Sequence, residues 1–108
     1  MTTVVGPVNV AAGLPGGVSA VINITVAQVV KALPGICATL VCIAPGSAGS
    51  LVLNDCATTG AAAATNEFFS KLFSALSAGQ VIPLKWPCGA GIVVSSVPTA
   101  GVFSIAFS

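Results

Sequence analysis

The chain has 108 residues, of which 56% are hydrophobic and only five are charged (Lys31, Asp55, Glu67, Lys71 and Lys85), for a net charge of +1. Charged residues are 5% of the chain, against about 25% in an ordinary soluble domain. That scarcity excludes phosphate neutralisation on nucleic acid, which needs clustered cations. With no histidine, arginine or tyrosine it also leaves no base beside a serine or cysteine and no acid–base pair, so no enzyme is expected and no catalytic residue is assigned.

A folded chain of 10.4 kDa exposes on the order of 5,000 Å², more than five charges can cover. Broad apolar surface with almost no net charge predicts association with other protein surfaces. The mean hydropathy of +1.09 raises a membrane span as the rival explanation. Residues 1–30 carry no charge but are broken by Pro7, Gly13, Pro15, Gly16 and Gly17, and Pro34-Gly35 and Pro45-Gly46 divide the next stretch. A bilayer helix needs about 20 predominantly apolar residues in one segment, so no membrane partner is expected. The N-terminus has neither a basic n-region nor a compact apolar core, and synthesis in the cytoplasm without a signal peptide is the corresponding expectation.

In chain order, Thr3–Val10 reads as extended and Gly13–Gly17 as a loose connection, so that 1–18 forms an N-terminal arm. Ser19–Val26 alternates, with Ala20, Ile22, Ile24 and Val26 on one face, the period of a half-buried strand. Gln28–Lys31 is a bulge or a second short strand, and Pro34-Gly35 a turn with glycine accepting positive φ. Ile36–Ala44 is apolar on both faces and reads as a strand covered on both sides, by a second sheet or a neighbouring subunit. Pro45–Ser50 is a turn, Leu51–Asn54 a strand and 57–66 a surface loop.

Residues 66–76 are evenly divided between helix and strand by periodicity. Val81–Lys85 and Gly91–Val97 are strands joined at a corner made by Trp86, Pro87, Cys88 and Gly89, and Gly101–Phe107 alternates to the end. Short strands with regular turn signals predict one all-β domain over 1–108, a small β-sandwich or jelly-roll-like fold.

Cys37, Cys42, Cys56 and Cys88 are spaced without a Cys-x-x-Cys knuckle, which argues against a metal site; no cofactor is implied. Cys37 and Cys42, five positions apart on one strand, point to opposite faces about 16 Å apart. That separation is too great for a mutual disulfide. Each is a buried thiol, a partner of Cys56 or Cys88, or half of an inter-subunit bond. Cys56 and Cys88 stand at strand ends, placed for a bridge closing about 31 residues and contributing about 3–4 kcal/mol; two reduced thiols are the alternative.

Ile24-Thr25, Pro34-Gly35, Asn54-Asp55-Cys56-Ala57-Thr58-Thr59-Gly60, Trp86-Pro87-Cys88, Gly91-Ile92-Val93-Val94 and the alternating C-terminal strand resemble small β-sandwich structural proteins of tailed bacteriophages, over about residues 20–108. The resemblance implies a capsid decoration or cement subunit of the virion, homotrimeric, with the major capsid protein or other virion proteins as partners. It implies that 66–76 is extended, that Cys56 and Cys88 form a disulfide, and that Cys37 and Cys42 are inter-subunit links or buried thiols. A tail or neck fibre or receptor-binding module, and a surface-active self-assembling protein, are the alternatives.

Overall fold

The computed structural model describes residues 19–108; the arm expected over 1–18 lies outside the described residues. Eight strands follow in order: β1 Ser19–Ile24, β2 Gln28–Lys31, β3 Gly35–Ala44, β4 Ser50–Asn54, β5 Glu67–Leu72, β6 Gln80–Cys88, β7 Ile92–Ser96 and β8 Val102–Phe107. They form two four-stranded sheets, β1-β8-β3-β6 and β2-β7-β4-β5. Every pairing is antiparallel, and β1 pairs with β8, β2 with β7, β3 with β6 and β4 with β5. Four nested pairs rolled into two facing sheets are the topology of an eight-stranded jelly roll. The fold class expected from sequence is the one observed.

The core lies between the sheets. Ile24, Leu40, Phe103 and Ile105 from one sheet meet Leu51, Leu53, Ile92 and Val94 from the other, all fully or almost fully buried. Period-two alternation puts these residues inward, and β8 follows it cleanly: Phe103 and Ile105 are buried while Val102, Ser104 and Ala106 lie on the opposite face.

Two strands depart from simple alternation, with consequences for the residues they display. In β1, Asn23 adopts a left-handed φ of 56° and the register against β8 shifts between Val21 and Ile24. The expected apolar face therefore splits: Ile24 is buried, whereas Ile22 and Val26 are exposed. In β3 the register shifts between Cys37 and Thr39, and successive residues Cys37 and Ala38 are both buried, the mark of a bulge. The extra residue inverts the phase, so Cys37 and Cys42 share the core face instead of pointing oppositely.

Gln28–Lys31 is a strand of the second sheet. Residues 67–72 are extended, as the resemblance implied, and a 3-10 turn at Phe73–Ala75 follows. The expected corner at Trp86-Pro87 is corrected: β6 continues through both, with Pro87 opposite Ile36, and the chain turns at Gly89-Ala90-Gly91. Pro83 and Pro87 are tolerated because β6 is an edge strand and their missing N–H groups leave no gap in the ladder. Gly35 likewise has no positive φ; a side chain there would strike the Ser108 carbonyl.

Candidate functional site: an apolar sheet face and the Asp55 corner

The two outer faces of the sandwich are treated differently. On the second sheet, Val93 points away from the core yet is fully buried, because the segment after β4 folds over it. Asn54, 2% exposed, holds that segment down. Its amide nitrogen donates to the Ala63 carbonyl (2.9 Å) and to Asn66 Oδ1 (2.8 Å), and its Oδ1 accepts from Ser95 Oγ (2.6 Å). A buried amide with donors and acceptor all engaged fixes one loop geometry.

Among the described residues, the outer face of β1-β8-β3-β6 has no such cover. Ile22, Ile36, Ile43 and Val81 are 69%, 46%, 50% and 60% exposed on it. Around them lie Thr39, Val41, Ser104 and Ala106, with Val41 opposite both Val81 and Ser104. The only charged residue on these four strands is Lys85, at an edge-strand bulge with φ 50°. Ile36–Ala44 is apolar on both faces; its inner face is covered by the second sheet, and no other described segment covers its outer face.

Asp55 organises the end of the sandwich where β4 and β6 finish. Its Oδ2 accepts from Gly89 N–H (2.9 Å) and its Oδ1 from Ala90 (2.8 Å) and Gly91 (3.3 Å). Burial alone would push its pKa up, but the three backbone donors outweigh it and hold the carboxyl below its ordinary value. Successive N–H groups converging on an anion form a nest, here filled by the protein's own carboxylate. Gly91 must be glycine for close approach, since a Cβ there would meet the carbonyls of Cys56 and Lys31. The sequence signal for this role of Asp55 is Gly89-Ala90-Gly91, a turn with three backbone donors.

All four cysteines are buried free thiols. The disulfide expected between Cys56 and Cys88 is absent; the Asp55 carboxylate ties the two segments instead. Cys56 donates to the Thr58 carbonyl at 3.3 Å. Burial, then the neighbouring Cys88, pushes the Cys37 thiol up to about 12. Burial, with Asp55 and Cys56 adding to it, pushes Cys88 up to about 11. Cys42 and Cys56 are raised too, chiefly by burial.

A thiolate is the reactive form, so burial and the raised pKa values both disfavour reaction of these thiols at neutral pH. Cys37 and Cys42, 0% exposed, cannot reach a neighbouring subunit. The native protein is therefore expected not to react with a thiol-specific reagent, while the unfolded chain titrates all its cysteines; monomer bands should appear on gels with and without reductant. Rapid native labelling would overturn this. Among the described residues no three His, Cys, Asp or Glu side chains converge to hold a metal ion, and no helix is long and apolar enough to cross a membrane.

Beside the Asp55 corner the edges of the two sheets meet. Trp86 of β6 stacks on Phe68 of β5 with centroids 6.0 Å apart and planes 1° from parallel. A cleft of about 220 Å³ opens there, lined by Asp55, Thr65, Asn66, Glu67, Phe68 and Trp86. Trp86 remains 48% exposed, so its ring walls a cleft. Comparison with protein-family models, curated proteins and solved structures finds no match to this chain.

Proposed function

We propose that this protein is a structural subunit that associates through the outer face of sheet β1-β8-β3-β6, as a trimeric decoration or cement protein on a bacteriophage head. The observation that carries the reading is the bare apolar face: four large aliphatic side chains about half exposed or more, on strands whose single charge sits at one edge. A monomer rarely leaves such a patch to water. Its burial contributes about 25 cal/mol per Å², and an interface of standard size hides about 800 Å² on each partner.

The viral setting is supported by the resemblance carried by residues 20–108 and by the jelly roll, an architecture used by capsid proteins. Since a fold by itself names no function, the motifs and the face support the reading together. The subunit works by adding buried area across capsomer junctions; of the two readings of Cys37 and Cys42, inter-subunit link or buried thiol, the burial of both supports the second. Sedimentation velocity across a concentration series tests association: a stable trimer is expected, and a monomer at all concentrations would overturn self-assembly. A cryo-EM map of the parent particle tests the placement, with jelly-roll density on the head as the expected result and density confined to the tail as the overturning one.

A further inference from the structure

The only two carboxylates of the chain and its only tryptophan line one cleft. Five charges are scattered over 108 residues, yet both negative ones stand here and no lysine joins them. We propose that this cleft binds the side chain of an arginine presented by a partner protein, the guanidinium lying against Trp86 and bonding to the Glu67 carboxylate.

The chemistry of the walls selects such a guest. Asn66, the only side-chain amide in the lining, is already spent: its Oδ1 accepts from Asn54 and from the Ala63 N–H, and its nitrogen donates to the Ala61 carbonyl. The Asp55 oxygens face three backbone donors and hold negative charge in place. What remains for a guest is an aromatic face, carboxylate lone pairs and the Thr65 hydroxyl. That set accepts hydrogen bonds and cations and offers few donors, which fits a cation better than a neutral saccharide, whose hydroxyls both donate and accept.

Size points the same way. About 220 Å³ falls below the roughly 300–1,000 Å³ of pockets for drug-sized ligands, and suits one side chain. Between the two cationic side chains, arginine fits better: its planar guanidinium stacks on an indole and pairs with a carboxylate in fork geometry, and it sheds water more readily than an ammonium. These 108 residues contain no arginine, so none of them is the guest.

Because Trp86 is the sole tryptophan, its fluorescence reports the cleft directly. The folded full-length protein is titrated with end-blocked arginine, end-blocked citrulline as the neutral isostere, end-blocked lysine, and a neutral disaccharide. Arginine is expected to change the Trp86 emission saturably and to bind more weakly as salt rises, with lysine weaker and citrulline and the disaccharide without effect. Glu67→Gln, an exposed substitution whose fold is checked by circular dichroism, should weaken arginine about five-fold, and Phe68→Leu should weaken it less. Binding of citrulline or the disaccharide as strongly as arginine, an unchanged affinity in Glu67→Gln, or no response at millimolar arginine would each overturn the proposal. The outcome is independent of self-association, since the cleft sits at the sandwich rim and its titration can be run on the sedimenting species whatever its size.

Discussion

Ile43→Glu combined with Val81→Glu is expected to leave the fold intact and to weaken self-association about a hundred-fold or more. Both side chains are at least half exposed and stand on adjacent strands of the bare sheet, so the folded subunit loses little when they change. In an interface, each carboxylate would have to give up water with no cation opposite, because Lys85 is the only positive residue on that sheet. An unpaired buried charge costs about 2–5 kcal/mol at an interface, and each 1.4 kcal/mol is a factor of about ten in affinity. Sedimentation of the double variant beside the parent protein is the measurement, with circular dichroism to show that both are folded. Equal sedimentation of an associated parent and its variant would move the interface elsewhere, and the apolar face would lose its assigned role.

Asp55→Asn is expected to destabilise the fold by about 2–4 kcal/mol, read from denaturant midpoints, and to change how stability depends on pH. Three backbone N–H groups aim at the carboxylate, and hydrogen bonds to a charged acceptor are each worth about 1.5–3 kcal/mol, with losses that are not additive. An amide turns one acceptor oxygen into a donor and sets N–H against N–H. The sign of the pH effect follows from the depressed pKa. In the unfolded chain Asp55 titrates near its ordinary value of 3.8, and in the fold it titrates below that. Its contribution is therefore complete above about pH 4 and is lost as the pH falls through the folded-state value. The parent should lose stability in that acid window, while Asp55→Asn, which has no proton to take up there, should show a flatter profile. Parallel profiles for the two proteins would remove Asp55 from its role as the tie between β4 and the β6–β7 turn.

The same residue shows where reading a sequence stops. Asp55 and Gly89 are 34 positions apart, and nothing in Asn54-Asp55-Cys56 indicates that three amides will arrive from the far side of the molecule. The cysteines beside them carried the louder signal, since two cysteines at strand ends invite a bridge. Only the packed structure shows the thiols unbonded and the carboxylate holding the corner. Trp86 follows the same pattern: Pro87 beside it reads as a turn, but at a sheet edge proline is tolerated within a strand, and the ring is carried on to meet Phe68 across the rim.

Several elements were legible from residues alone, because alternation with period two is written locally. β8 lies where apolar residues at every second position placed it and β4 where a short apolar run follows the Pro45–Ser50 turn, and the low charge with frequent Pro/Gly turns marked an all-β chain with apolar surface to hide. Ile36–Ala44 was legible as a strand apolar on both sides. The sequence could not say which side the same chain would cover. That was decided by topology, which packs the second sheet on one side, and by the Asn54 network, which spends the long loop between β4 and β5 on the opposite sheet. Phase was lost at the bulges in β1 and β3, because an inserted residue is defined by hydrogen-bond register with a neighbouring strand and leaves no mark on composition. By itself, then, the sequence determined the fold class and a surplus of apolar side chains over charged ones, both of which follow from sums over side chains and from nearest-neighbour periodicity. The exposed apolar face, the buried thiols, the filled nest at Asp55 and the aromatic cleft were decided by tertiary structure, because each depends on groups far apart in the chain meeting at distances that only the folded register sets.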